Sequence, residues 1–281
     1  MRTAAGAFIA LIGVTAPLIA ADAPALVRAR GFYNAANYDA AIEAATLARR
    51  QPAAADAAAL VLARAHIERY RTTRIDAELV SARQAIHGIT RVRLGPRQQL
   101  DLLIALGQIL FFDDDFGAAA EVFESALVKA PLLPQPARGQ LLDWWAHALD
   151  REAKSRPQDP RPPDQSGAAA LATPRGRATV YARLVARMEQ EAGNDPVSAT
   201  ANYWLPAAIR GAGDLDRAWD AAIASWVRSS LDPQTAPAVR ADLDRLAQAL
   251  ALERSRHHPV REQADAANAL RAEWDEIKSK W

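Results

Sequence analysis

The chain contains no cysteine. That excludes a disulfide framework, a thiolate zinc site, a thiol nucleophile and a lipid-modified cysteine. Net charge is also nearly missing: 34 basic residues face 33 acidic ones over 281 positions, a balance of +1. A dedicated nucleic-acid binder usually carries a strong basic excess, so none is expected. Glycine is sparse, at 13 residues. No phosphate-binding G-x-x-x-x-G-K, dinucleotide glycine pattern or G-x-S-x-G elbow occurs. Long apolar runs are missing beyond the N-terminus. Alanine is abundant, at 66 residues, and half of the chain is apolar. Alanine is the best helix former, so these counts predict an all-α protein with a sizeable core.

Within residues 1–21, Arg2 precedes the one long uncharged run, Thr3 to Ala21, with small residues at Ala20, Ala21 and Ala23. This is the layout of a secretory leader cleaved after Ala20 or Ala21. A retained membrane anchor is the competing reading, weakened by Gly6, Gly13 and Pro17. Export to the periplasm or the medium is expected, with membrane attachment only through this run if it stays uncleaved.

Periodicity organises the rest. From Leu103 to Pro131, Leu103, Leu106, Gly107 and Leu110 mark one helical stripe, and Asp113 to Asp115 make a polar turn. Phe116, Ala119, Phe123 and Ala126 mark a second stripe, which Pro131 is expected to stop. Apolar spacings of three and four predict two amphipathic helices rather than strands. Gly107 and Ala119 have a packing reason, since small residues let the two helices approach.

This unit resembles the tetratricopeptide repeat, whose helix–turn–helix pattern runs W-x2-L-G-x2-Y, A-x3-F and Pro. Leu106, Gly107, Ala119, Phe123 and Pro131 match it, while Leu103 and Leu110 replace the family's Trp and Tyr. The resemblance implies a right-handed α-solenoid of helix pairs with a concave groove lined by first helices, which receives a peptide or a partner helix. By this resemblance Arg30, Tyr33, Gln108, Phe112, Trp144, His147, Tyr203 and Arg210 are the candidate groove residues. Some members hold a C-terminal carboxylate with Lys and Asn. The matching positions here carry Leu26 and Arg30, then Ile104 and Gln108, so that activity is not carried over.

Weaker copies flank the clear one. Residues 26–52 carry Tyr38, Ala41, Ala45 and Ala48 on a second-helix stripe, and residues 202–225 end on Ala218, Ala222 and Ser225. Pro206 leaves the first helix of that copy in doubt. Segments 60–70 with 79–86, and 141–149 with 180–190, complete five hairpins within a repeat region spanning 22–235. The last pair is split by a Pro-rich insertion at 156–175, read as a solvent-exposed loop. Residues 236–281 are predicted to form two polar-backed capping helices, because a stack of hairpins otherwise ends on an apolar face.

No residue set shows the spacing of a metal or cofactor site, and neither is expected. The five histidines form no ligand motif. The DDDFG run at 113–117 puts Gly117 where a third calcium ligand belongs, so it reads as an interhelical turn. Asp143, His147 and Asp150 share one helix face and make the best catalytic candidate, yet any repeat helix shows such a stripe to water. Twelve Arg against seven acids in residues 22–100 concentrate positive charge near the second hairpin, at Arg69, Arg71, Arg74, Arg83, Arg91, Arg93 and Arg97. This reads as a solvated outer face, apart from the groove and balanced by the next hairpin; the functional alternative is a surface for an acidic partner or an anionic envelope polymer. The expected function is a non-catalytic protein–protein interaction scaffold of the bacterial cell envelope, with a protein or peptide partner. An alternative is a helical protein associated with an envelope polymer or carbohydrate, with enzymatic activity left open.

Overall fold

The computed structural model describes residues 24–156 and 176–281. The predicted leader at 1–21 and most of the predicted insertion at 156–175 therefore lie outside the described residues. Among the described residues there is no strand, and twelve α-helices follow one another. They are α1 (Pro24–Asn34), α2 (Tyr38–Ala48), α3 (Ala55–Thr73), α4 (Asp76–His87), α5 (Pro96–Phe112) and α6 (Phe116–Leu127). After them come α7 (Gln135–Ser155), α8 (Arg177–Asn194), α9 (Ala199–Ala212), α10 (Leu215–Ser229), α11 (Ala236–Ser255) and α12 (Gln263–Lys280).

The helices pack as consecutive pairs, consistent with a helical repeat. Each odd-numbered helix also touches the next odd one, from α1 through α11, so these six share a layer. The second-helix stripes are the core of the pairs. Ala41, Ala45, Ala48, Ala119, Phe123, Ala126, Ala218, Ala222 and Ser225 all have 0% exposure.

Three hairpins share one turn, built from the same hydrogen bonds. Asn37, Asp115 and Asp214 each donate their backbone N–H to the carbonyl five residues earlier, on Phe32, Leu110 and Ile209. Each then turns its side chain forward to accept from the N–H three residues later, on Ala40, Ala118 and Arg217. One side chain thus caps a helix start while its own N–H closes the previous helix end. The residue before each cap is left-handed: Ala36 (φ 55°), Asp114 (φ 58°) and Gly213 (φ 94°). The DDDFG run is accordingly an interhelical turn with Asp115 as its cap.

The best repeat folds with two refinements. Its first helix is buried on both flanks, because a stacked helix has neighbours on either side. Leu103 and Leu110 pack toward the large core of α5–α12, whereas Leu106 packs with Leu102, Ala105 and Ile109 toward α3 and α4. Pro131 is not the stop: α6 ends at Leu127, and exposed Pro131 lies in a short 3-10 turn, Ala130–Leu132. The doubt over Pro206 is resolved the other way, since α9 runs through it with Pro206 buried. Proline removes one N–H from the ladder, but packing against α8 and α10 holds the helix together.

The C-terminal pair packs onto the helices before it, α11 against α9 and α10, and α12 against α11. Trp274 of α12 is fully buried, donates its indole N–H to Asp244 at 2.8 Å, and meets the rings of Trp219 and Trp226. Leu270 and Ile277 pack beside it, while Trp281 stays 58% exposed.

Candidate functional site

Helices α1, α3, α5 and α7 together line a groove of about 670 Å³. Tyr33 comes from α1; Arg64, Glu68, Arg71 and Thr72 come from α3, with Arg74 at its C-cap. Helix α5 contributes Arg97, Asp101, Ile104, Gln108, Phe111 and Phe112, and α7 contributes Gln140, Asp143, Trp144 and His147. The odd-helix layer is thus the surface that presents side chains to the groove.

An aromatic cluster forms one wall. Trp144 meets Phe111 at 5.2 Å and Phe112 at 5.7 Å, both edge to face, and Phe112 meets Tyr70 at 5.0 Å. Arginines surround it. The Arg71 guanidinium reaches over the Trp144 ring, with its carbon 5.4 Å from the centroid, and donates to Glu68 at 2.8 Å. Arg74 lies over both Tyr70 and Phe112, and no carboxylate pairs with it among the described residues. Arg64 and Arg97 share Asp101, each at 3.4 Å, and Arg64 also covers the Tyr33 ring. Burial pushes the Tyr33 hydroxyl pKa up, with Arg64 opposing the shift.

Gln108 sits deeper. It is only 8% exposed, lines the groove, and its side chain makes no hydrogen bond among the described residues. Its amide opens onto the cleft rather than being sealed from solvent, so its donors and its acceptor are available to a ligand.

Five of the eight candidates meet in this groove: Tyr33, Gln108, Phe112, Trp144 and His147. Arg30 lines an adjoining cleft of about 220 Å³ that shares Tyr33, Arg64 and Asp101 with it. Tyr203 and Arg210 do not line the groove, which corrects that expectation. Arg210 forms a fork on Glu253 of α11, at 2.9 and 2.6 Å, and this bond holds the Glu253 carboxyl below its ordinary range. Tyr203 is half-buried against Trp204, and burial followed by the nearby Asp242 pushes its hydroxyl pKa up. Trp144 is also not a free side chain. Besides Phe111 and Phe112 it packs near Phe123 at 6.0 Å, so it joins the groove wall to the hairpin core.

The arginines were the misplaced signal. Arg71, Arg74 and Arg97 line the groove, whereas Arg69 pairs with Asp39 and Glu78 outside it, so the basic surface and the groove overlap in part. The stripe Arg64, Glu68, Arg71 at spacings of four and three is legible in the sequence as one face of α3.

The catalytic triplet is occupied structurally. Asp143 accepts from the Trp204 indole at 2.8 Å, and Asp150 accepts from Tyr181 and Lys154 at 2.8 and 2.7 Å. His147 stands 3.7 Å from Asp143 with its ring against Trp204. These bonds join α7 to α8 and α9.

Comparison with known protein families, with curated proteins and with solved structures finds no match to this chain.

Proposed function

We propose that the protein is a non-catalytic interaction scaffold of the bacterial cell envelope, taking a peptide or partner helix in the groove of α1, α3, α5 and α7. The observation that carries this reading is the groove itself. Four successive odd helices bring an aromatic wall, a set of guanidinium groups and the unpartnered amide of Gln108 to one cleft. Aromatic and arginine side chains dominate protein-binding hot spots. In this reading the helix pairs are tetratricopeptide-like repeats stacked as a right-handed solenoid, with the groove as the concave face and α11–α12 as the cap. The shared turn of three hairpins supports the repeat. Export rests on Arg2 and the uncharged run behind it. No helix among the described residues is long and apolar enough to cross a membrane.

The test is capture from an envelope extract with the mature chain and with a Thr72→Trp variant. Thr72 is exposed on the groove rim, so an indole there fills the cleft without touching the core. A protein retained by the wild type and lost by the plugged variant, at equal melting temperature, supports the reading. Equal retention by both places binding elsewhere.

A further inference from the structure

We infer that the groove reads an acidic peptide: Gln108 holds its main chain, while Arg71 and Arg74 hold an Asp or Glu side chain set beside a large apolar residue. This rests on the reading of the groove as a peptide site and goes further by naming what the peptide must carry.

The first ground is charge. The groove presents four guanidinium groups, from Arg64, Arg71, Arg74 and Arg97, against three carboxylates, Glu68, Asp101 and, on the α7 side, Asp143, which accepts from the Trp204 indole. Asp101 is shared by Arg64 and Arg97. Arg71 gives one bond to Glu68, and Arg74 has no carboxylate partner among the described residues. A guanidinium has five N–H donors, so both keep most of them for a ligand. An approaching carboxylate therefore meets donors already positioned, because Arg71 rests on Trp144 and Arg74 on Tyr70 and Phe112. Arginine suits this role, since its planar fork matches a carboxylate and stacks on rings.

The second ground is Gln108. The residue is only 8% exposed and lines the groove, and its side-chain amide forms no hydrogen bond among the described residues while staying open to the cleft. A side-chain amide offers one acceptor and two donors on a planar group, the complement of a peptide unit. A protein chain supplies that partner at every residue. Ile104, Leu133 and Leu141 give the groove an apolar floor for the neighbouring side chain.

The same observations disfavour an anionic polysaccharide. Sugars stack on an open aromatic face, but the Trp144 ring is engaged by Phe111, Phe112 and Arg71. Evenly spaced polymer charges would also meet Glu68, Asp101 and Asp143 in the same cleft.

The experiment pans a random dodecapeptide display library against the full mature chain. Selected peptides are then measured on the wild type and on the Arg71→Glu, Arg74→Glu, Arg74→Gln, Gln108→Leu and Thr72→Trp variants. Polygalacturonate serves as the polymer probe. The inference expects selected peptides with Asp or Glu beside an aromatic or aliphatic residue. It expects affinity to fall at least tenfold with Arg74→Glu, and to fall with Arg74→Gln, which adds no repulsion. Gln108→Leu should weaken binding while the melting temperature holds or rises, whereas a merely structural glutamine would lower it. Neutral or basic peptides, or affinities unchanged by the arginine and Gln108 variants, overturn the inference. If such peptides are still blocked by Thr72→Trp, the peptide-groove reading survives. Failure to select any peptide overturns both. Arginine-dependent binding of polygalacturonate that is tighter than any selected peptide overturns the peptide assignment in favour of the polymer.

Discussion

Gly107 of α5 lies directly against the ring of Phe123 in α6: a Cβ placed on Gly107 would sit 2.5 Å from Phe123 Cε1. Real Cβ contacts are never that short, and Phe123 has 0% exposure, so the ring has no free space to yield into. Gly107→Leu should therefore force the hairpin apart and lower stability by about 1–3 kcal/mol, read as a lower melting temperature. An unchanged melt would mean the helices do not approach as described. Gly211 makes a still closer approach to the Tyr181 ring, and Gly211→Leu should behave alike.

The shared turn makes a second prediction. Asn37, Asp115 and Asp214 hold equivalent places, so their alanine variants should each cost about 1 kcal/mol, the usual loss of an N-cap. Asp115→Asn should be nearly neutral, because asparagine caps as well as aspartate. Chemical denaturation of the three alanine variants checks both statements. A cap that can be removed without loss would break the equivalence of the three hairpins.

Acid should loosen the C-terminal end first. Hydrogen bonds from Arg210 hold the Glu253 carboxyl pKa down. At Asp244 burial acts against ionisation, but bonds from Lys278 and Trp274 outweigh it and the pKa is lowered. Both folded pKa values lie below the unfolded ones, near 4. The stabilisation is present above that value and is lost as pH falls through the folded pKa. Melting temperature should thus drop on acidification below about pH 4. Glu253→Gln should flatten part of that drop; an identical acid profile would deny the Arg210 bond its role.

Much of the helical pattern is legible in the sequence. The stripe Ala119, Phe123, Ala126 and the alanine stripes at 41–48 and 218–222 are one-face patterns, and burial follows them directly. The groove was only half legible. Tyr33, Gln108, Phe112, Trp144 and His147 were reached through repeat register, which fixes which helix faces a neighbour. Arg210 escaped because its environment is set by Glu253, 43 residues away, and no local spacing encodes that pair. Pro206 shows the same limit, since its helix persists through contacts from α8 and α10. Charge per segment points Arg71 and Arg74 to a solvated face. Their reach across to Trp144 and Phe112 depends on how α3 lies beside α5 and α7.

The most direct measurement is photo-crosslinking in the native host. Gln140 is exposed and lines the groove, whereas Val92 is 87% exposed and lies outside it. Each is replaced in turn by p-benzoylphenylalanine, and irradiated cells are analysed for covalent adducts. A peptide-binding groove predicts a discrete protein adduct from position 140, lost when Thr72→Trp is added, and none from position 92. The same adducts from both positions, or none from position 140, would contradict the account.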